Sequence, residues 1–535
     1  MTIEYVSRTP AAGGDGHRPS AAASTAGLIS RLATRVTAAP GATTVTKTIP
    51  YTGAPLTDLP VSTSTDVDAA FARAQAAQKR WAATSFRDRK AIMLRFHDLL
   101  LDRQHEVLDL MQAESGKTRR DAFLEVVDVA IVARYYARRA AGLLAPTRRR
   151  GAIPLLTHTT ELRHPKGVVA VISPWNYPLS MAASDAIPAL LAGNAVVQKP
   201  DTQTALTALW ALDLMREAGL PDDVWQMVVG RGSDIGDALM DNADYIMFTG
   251  STASGRRIAR DAGERLIGAS LELGGKNAML VLDDADIDRA AAGAVDACFP
   301  SAGQLCVSIE RLYVAESIRT EFVAAFVART CALSTGAAYD FSRDVGSLTT
   351  VSQLETVTAH VDDAVTKGAT VLAGGQARPD LGPLFFEPTI LTDVTPEMTL
   401  CTHETFGPVV SIYSFDSLDD AVERANATPY GLNAGVWTRD GAKGRAVAAR
   451  LHAGTVNVND AFAAAWGSID APMGGVGDSG LGRRHGAEGI LKYTEAQTVA
   501  HQRVMGFTPP AAVPYRAWAG ILTTWLRVMK RFGVR

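Results

Sequence analysis

The sequence predicts an α/β protein: a doubly wound, mostly parallel sheet, then a second α/β block and a β arm. Three observations predict it. Apolar, β-branched runs alternate with helix-period stretches from Val168 to Ala262, the pattern of parallel strands buried on both faces. The length, 535 residues, is enough for several domains with ample core. The composition, 47% apolar and 20% charged, is that of an ordinary globular chain.

The elements follow in order. Residues 1–45 are rich in Ala, Gly, Ser, Thr and Pro, lack the apolar stretch of a secretory signal, and read as an unpacked, disordered tail. From Ser64 to Leu144 the period is helical, opening with Val67, Ala70, Phe71 and Ala74. Val168–Ile172 reads as a strand, Asp185–Leu191 as a helix, Ala195–Gln198 as a strand and Thr204–Ala218 as a helix. Val224–Val229, Ser233–Met240, Tyr245–Phe248 and Gly255–Ala262 continue the alternation. This gives a dinucleotide-type domain over 46–285 and a second α/β domain over 286–480, the latter with strands at Arg311–Ala315, Val409–Ser414 and Gly454–Val458. An exposed arm strand is read near 156–165, and Tyr493–Arg503 is its expected partner, so that 481–504 returns to the first domain. Residues 505–535 read as a basic amphipathic helix: Trp518, Ile521, Leu522, Trp525, Met529 and Phe532 recur at helical spacing, and no Asp or Glu follows His501. Packing on the chain itself or on a neighbour is one reading of that helix; contact with an anionic membrane surface is the sharper one.

With 53 Lys+Arg against 56 Asp+Glu, the net charge of −3 excludes the basic excess of a nucleic-acid binder. Cys298, Cys306, Cys331 and Cys401 contain no C-x-x-C pair, so neither a disulfide framework nor a zinc site is expected, and no metal. A reduced, cytoplasmic setting follows, with a thiol free for chemistry.

Gly475-Val-Gly-Asp-Ser-Gly480 spells G-x-G-x-x-G, but it follows Ala471-Pro472-Met473-Gly474 instead of a buried strand and reads as a glycine-rich turn. Gly250-Ser-Thr-Ala-Ser-Gly255 sits between a strand and a helix, where open N–H groups and the helix dipole suit a diphosphate. Arg256 and Arg257 stand where a P-loop needs Lys and Ser/Thr. Cys306, in Gly303-Gln-Leu-Cys306, is a nucleophile only if partners exist elsewhere; the other three cysteines read as core residues. Two partners are candidates. Glu272, among leucines in Leu271-Glu-Leu-Gly-Gly-Lys276, is either a desolvated general base or a carboxylate satisfied by Lys276. Asn176, in Pro174-Trp-Asn-Tyr-Pro178, is either an oxyanion donor or a turn cap.

Six motifs occur in one order: Ile172-Ser-Pro-Trp-Asn-Tyr-Pro178, Lys199-Pro200, Phe248-Thr-Gly-Ser-Thr252, Leu271-Glu-Leu-Gly-Gly-Lys276, Gly303-Gln-Leu-Cys306 and Glu404-Thr-Phe-Gly-Pro408. Together they resemble the NAD(P)-dependent aldehyde dehydrogenase superfamily, over about Thr46 to Gln502. With Ser308-Ile-Glu-Arg311 and His403-Glu-Thr-Phe-Gly407, the nearest flavour is that of bacterial, actinobacterial-type succinate-semialdehyde dehydrogenases. The resemblance implies an aldehyde-dehydrogenase-like fold: a Rossmann-type cofactor domain, an α/β catalytic domain and a β oligomerisation arm. It implies Cys306 as nucleophile, Asn176 as oxyanion donor and Glu272 as base for releasing the acid. It further implies Trp175 and Lys199 at the adenosine half of the cofactor, and Gly250 and Ser251 at the diphosphate. Leu273, Glu404 and Phe406 fall at the nicotinamide half.

In that family NAD-preferring members place Glu three residues after the lysine. Here Thr202 stands there, so NADP is expected over NAD, although Asp201 is close by. The chain departs from the pattern at Ser301 and Gly477. The positions where succinate-semialdehyde enzymes carry a carboxylate-clamping arginine are Ser184 and Pro300. Tyr177, Phe299, Phe462 and Trp466, expected at the cavity mouth, favour a longer aliphatic or aromatic aldehyde. A CoA-acylating relative is disfavoured by Glu272; a catalytically silent member would lack one of Cys306, Glu272 and Asn176. A homodimer or homotetramer is implied.

Overall fold

The computed structural model describes residues 21–151, 157–503 and 506–533. Two parallel-rich sheets lie side by side in sequence and share almost no strands. The first runs Gly480–Leu481, Gly268–Glu272, Tyr245–Thr249, Val168–Ser173, Ala195–Pro200, Trp225–Met227 in spatial order. Its strands are parallel except for the short antiparallel pairing of Gly480 with Glu272. Val168-Val169-Ala170-Val171 is buried on both faces because helices cover both. On one side lie Arg119–Leu144, Pro178–Leu191 and Ala205–Glu217, whose Val129, Leu190 and Trp210 join one core. The long helix starts where the Thr118 hydroxyl accepts from Asp121 N, and Pro178 occupies the first turn of its neighbour, where its missing N–H costs nothing. The sequence reading began that helix at Asp185; Pro178 brings its start up to the end of the Val168–Ser173 strand.

The second sheet runs Thr370–Ala373, Thr389–Thr392, Val409–Phe415, Ile309–Ala315, Asn277–Val281, Asn433–Trp437, Thr455–Val458. Asn277–Val281 is an inner strand of it, between Ile309–Ala315 and Asn433–Trp437, so the second sheet begins at Asn277, ahead of the expected Asp286. The chain changes sheets at Gly274-Gly275, where a Cβ would strike the Glu404 carboxylate at 2.2 Å or the Asn277 amide at 2.7 Å. Thr157–Pro165 pairs antiparallel with Thr494–Gln502, as its alternation predicts, and Thr147–Arg149 adds a third strand.

The unpacked tail over 1–45 requires correction. Residues 1–20 lie outside the described residues, but Ala21–Ala33 is a helix, and Ile29, Leu32 and Val36 are buried in the first core. Arg31 and Arg35 both grip Asp213, at 3.1 and 2.7 Å. An alanine-rich composition conceals a good helix former, and three apolar side chains suffice to seat it. Thr44–Thr48 and Pro55–Pro60 then form a hairpin. Among the described residues, no helix is long and apolar enough to cross a membrane.

Candidate active site

The carboxyl ends of the first sheet's strands and the loops of the second face one cleft. Its catalytic part is lined by Trp175, Asn176, Gly250, Ser251, Glu272, Leu273, Cys306, Glu404 and Phe406. A neighbouring part, sharing Pro174, Trp175, Thr249 and Gly250 with the first, is lined by Lys199 and Asp201.

Cys306 follows a loop in which Ser301, Ala302 and Gly303 all have positive φ (51°, 53° and 72°). Two non-glycine residues in that region are costly, on the order of 1–2 kcal/mol each. The loop is held nevertheless: Gln304 Nε2 donates to Ser301 O at 2.9 Å, Gln304 Oε1 accepts from Thr349 N at 3.0 Å, and Asn277 Nδ2 donates to Cys306 O at 2.8 Å. Burial pushes the Cys306 thiol up to about 12, with Glu272 and Glu404 adding to the rise and Arg484 opposing it.

Asn176 is not a turn cap. Its Nδ2 donates one hydrogen to Gln304 O at 3.0 Å, leaving the second for another acceptor. Its carbonyl accepts from Lys117 Nζ at 2.6 Å, and Lys117 pairs with Glu125 at 2.5 Å. Glu125 Oε2 in turn accepts Leu179 N and Ser180 N, at 2.8 and 3.0 Å, from the first turn of the Pro178 helix. This buried relay fixes the peptide that carries Asn176.

Glu272 ends its strand facing the cavity. Lys276 does not satisfy it, because Lys276 pairs with Glu310. Glu272 Oε1 is buried without a protein hydrogen-bond partner, and burial raises its carboxyl to about 7, against the pull of Arg484 and Lys492. That value suits a base working near neutrality. The Gly475–Gly480 turn proves structural: Ser479 O accepts Leu273 N at 2.9 Å, and Ser479 Oγ donates to Gly274 O at 2.7 Å while accepting Gly431 N at 2.9 Å.

Glu404 Oε1 accepts Gly275 N at 2.8 Å, and burial raises its carboxyl to about 8. The Phe406 ring stands edge-on to Trp175, centroids 5.5 Å apart. Sequence reasoning missed what holds this loop. Glu310 accepts Thr405 N at 3.0 Å and Phe406 N at 2.9 Å, and Arg311 grips Lys276 O and Ala425 O. The available signal was an adjacent Glu-Arg pair inside an apolar strand.

Lys199 fits a dinucleotide. It is a buried cation whose one hydrogen-bond acceptor is Pro200 O at 3.4 Å, and desolvation lowers its pKa. A hydroxyl or phosphate oxygen would complete it. Ser251 caps the helix Thr252–Glu264 at the cleft wall. Thr202 is not among the lining residues; its hydroxyl donates to Gly230 O at 3.3 Å.

Around Cys306 the wall is apolar: Tyr177, Met181, Leu305, Trp466 and Met473. Phe462 packs behind Trp466, centroids 5.7 Å apart. Phe299 is not at the mouth; it caps the helix Ile287–Cys298 and stacks on Phe326 in the second core. Ser184 donates to Asp128, and Pro300 opens the turn before Cys306. Among the described residues the one cationic side chain lining this cavity is Arg484, also missed from sequence. Its Nη2 bonds Asp185 at 2.6 Å and Thr249 at 3.1 Å, Nη1 meets only the Met181 sulfur, and Nε has no partner.

The model of the aldehyde dehydrogenase family matches residues 37–499. The chain belongs to the aldehyde dehydrogenase family. A Mycobacterium tuberculosis relative is 53% identical over 91% of this chain and 94% of its own; its name assigns it, provisionally, to succinate-semialdehyde dehydrogenase [NADP(+)]. A Sinorhizobium fredii relative with a similarly provisional name is 38% identical over 83% of this chain and 90% of its own. Among solved structures, an Escherichia coli NADP-dependent enzyme superposes with a TM-score of 0.83 at 32% identity, covering 86% of this chain and 95% of that one. Betaine aldehyde dehydrogenase from Staphylococcus aureus in complex with NAD+ superposes with 0.83 at 29% identity, covering 91% and 98%. The aldehyde dehydrogenase fold expected from the six motifs is therefore the fold of this chain.

Proposed function

We propose that this aldehyde dehydrogenase oxidises succinate semialdehyde to succinate with NADP. The observation that carries the reading is the convergence of Cys306, Glu272 and the free N–H of Asn176 on one cavity with a single cationic wall residue, Arg484. The names of the mycobacterial relatives support both the substrate and the coenzyme.

In this reading the Cys306 thiol gives up its proton to water as its sulfur attacks the aldehyde carbon, and Asn176 Nδ2 and the Cys306 backbone N–H take the oxygen. A nicotinamide bound in the cleft would accept the hydride, leaving Cys306 with a thioester. Trp175 and Lys199 hold the adenosine half, Gly250 and Ser251 the diphosphate, Glu404 the nicotinamide ribose, and Phe406 and the Leu273 backbone the ring. Glu272 then takes a proton from a water whose oxygen attacks the thioester carbonyl; the C–S bond breaks and the acid leaves. The presence of Glu272 favours water over CoA as the second nucleophile. Lys199, which makes no salt bridge with the neighbouring Asp201, and Thr202, where a glutamate would repel a 2′-phosphate, support NADP.

Ser184 and Pro300 cannot clamp a distal carboxylate. Arg484 can: Nε and Nη1 have no oxygen partner, and a buried guanidinium with unspent donors favours a carboxylate. The apolar wall of Tyr177, Met181, Trp466 and Met473 favours a second reading, a longer or aromatic aldehyde. One experiment separates them: following reduced coenzyme with an aldehyde panel, using wild type, Cys306→Ala and Arg484→Met. The expected result is Cys306-dependent turnover, with Arg484→Met raising KM for succinate semialdehyde roughly 10–100-fold more than for butanal. Equal KM changes refute the substrate assignment, and the absence of Cys306-dependent turnover refutes the enzyme assignment. A homodimer or homotetramer is supported by the exposed edge strand Thr494–Gln502; light scattering tests it.

A further inference from the structure

The helix Tyr515–Arg531 lies beyond the span of the family model, which ends at residue 499, and the catalytic reading leaves it unused. On a wheel of 3.6 residues per turn, Ile521, Leu522, Trp525, Met529 and Phe532 fall within about 60° of Trp518. Arg516, Arg527, Lys530 and Arg531 fall within an arc of about 100° on the opposite side. Trp518 is tucked in, its Nε1 donating to Phe507 O at 2.6 Å. Leu522, Trp525 and Met529 are half-buried, while Ile521 is 54% exposed and Phe532 73%. Large side chains at such exposure mark a surface built for a partner.

Charge chooses the partner. No Asp or Glu follows Glu495, whereas Arg503, Arg516, Arg527, Lys530, Arg531 and Arg535 all do. A second copy of the helix laid face to face would cover the apolar side but leave these cations on its outer side with no carboxylate side chain to pair them. A lipid surface supplies hydrocarbon for the apolar side and a negative surface potential that attracts the cations of the other side, and a 17-residue helix with that division lies in the interface plane. Among the described residues no helix is long and apolar enough to span the bilayer. We propose that Tyr515–Arg531 seats the enzyme on an anionic membrane surface, apolar side down, with the negative potential of the headgroups attracting the cations of the upper side.

The test is co-sedimentation of the full-length enzyme with vesicles of phosphatidylcholine alone or with phosphatidylglycerol added, at low and high salt. Three variants accompany it: a stop after Pro514, Arg527→Glu/Lys530→Glu/Arg531→Glu, and Trp525→Ser/Phe532→Ser. Turnover of a soluble aldehyde verifies that each variant is folded. The expected result is binding to anionic vesicles at least tenfold stronger than to neutral ones, weakened by salt and lost in all three variants with turnover unchanged. Binding that survives the stop after Pro514, equal binding to neutral and anionic vesicles, or no binding by the full chain overturns the proposal. So does a change of oligomeric state on truncation without vesicle binding, which would assign the helix to a second copy of the chain.

Discussion

Replacing Lys117 by Met isolates the relay behind Asn176. The substitution keeps the length of the side chain but removes two bonds: 2.5 Å to Glu125 and 2.6 Å to the Asn176 carbonyl. Burial already raises the Glu125 carboxyl, and Lys117 is the largest influence opposing that rise. Without the ammonium, Glu125 takes up a proton when the chain folds, whereas in the unfolded chain it ionises near 4.3. The protonation penalty is therefore limited by the distance of the pH from that value. It cannot exceed about 3.7 kcal/mol at pH 7 and about 2.3 kcal/mol at pH 6. The sign follows from proton counting: the folded variant binds one more proton than the unfolded chain, so its stability falls as pH rises above about 4.5 toward the raised pKa. A further ~1 kcal/mol accompanies the unpartnered Asn176 carbonyl. Because the same carbonyl belongs to the peptide that aims the Asn176 amide, kcat should fall about 10–100-fold. The assay is thermal or denaturant unfolding at pH 6 and pH 7.5, with turnover measured alongside. The gap from wild type should widen at the higher pH. In Lys117→Met/Glu125→Gln that pH dependence should vanish while the catalytic defect remains. A pH-independent gap with unchanged kcat would refute the reasoning.

Three other outcomes are expected. In Glu272→Gln, stopped-flow should show one equivalent of reduced coenzyme per site followed by turnover slowed at least ~100-fold; in wild type, kcat should rise with pH through about 7 as the Glu272 carboxylate forms. Glu310→Gln weakens the hold on Thr405 N and Phe406 N and should raise the coenzyme KM about tenfold, with less effect on the aldehyde KM. Thr202→Glu should lower kcat/KM for NADP at least ~10-fold relative to NAD, measured by steady-state kinetics with both coenzymes.

The reacting groups were legible in the sequence because each lies in a short motif at a strand end, where local spacing and chemistry coincide. The supports were not. Arg484 and Asp185 are 299 residues apart in the chain, and Glu310 reaches a loop 95 residues away; neither partnership leaves a local trace. Phe299 misled because aromatic side chains near a nucleophile resemble a cavity mouth, whereas the helix before it directs the ring into the core. The Gly-Gly step after Leu273 carried the opposite lesson. It was read as part of the base motif, and its steric role is to let the chain leave one sheet for the other. The buried helix at Ala21–Ala33 escaped notice because composition averages over the very side chains, Ile29, Leu32 and Val36, that seat it.

Ser479 has a consequence for how the cleft exchanges its ligands. One residue bonds Leu273 and Gly274 on the side of the base and Gly431 on the side of the second sheet. It acts as a rivet between the two lobes, set beside the reacting atoms. Prising the lobes apart there would break either the Gly431 bond or the pair to Leu273 and Gly274, each bond with a net worth near 1 kcal/mol and more if left unsatisfied in the interior. The Glu404–Pro408 segment, carrying Phe406 and anchored through Glu310, meets the other side of the cleft through the Glu404–Gly275 hydrogen bond and the edge-on contact of Phe406 with Trp175. Loosening the segment at Glu310 should therefore speed coenzyme release, whereas loosening Ser479 should cost stability first.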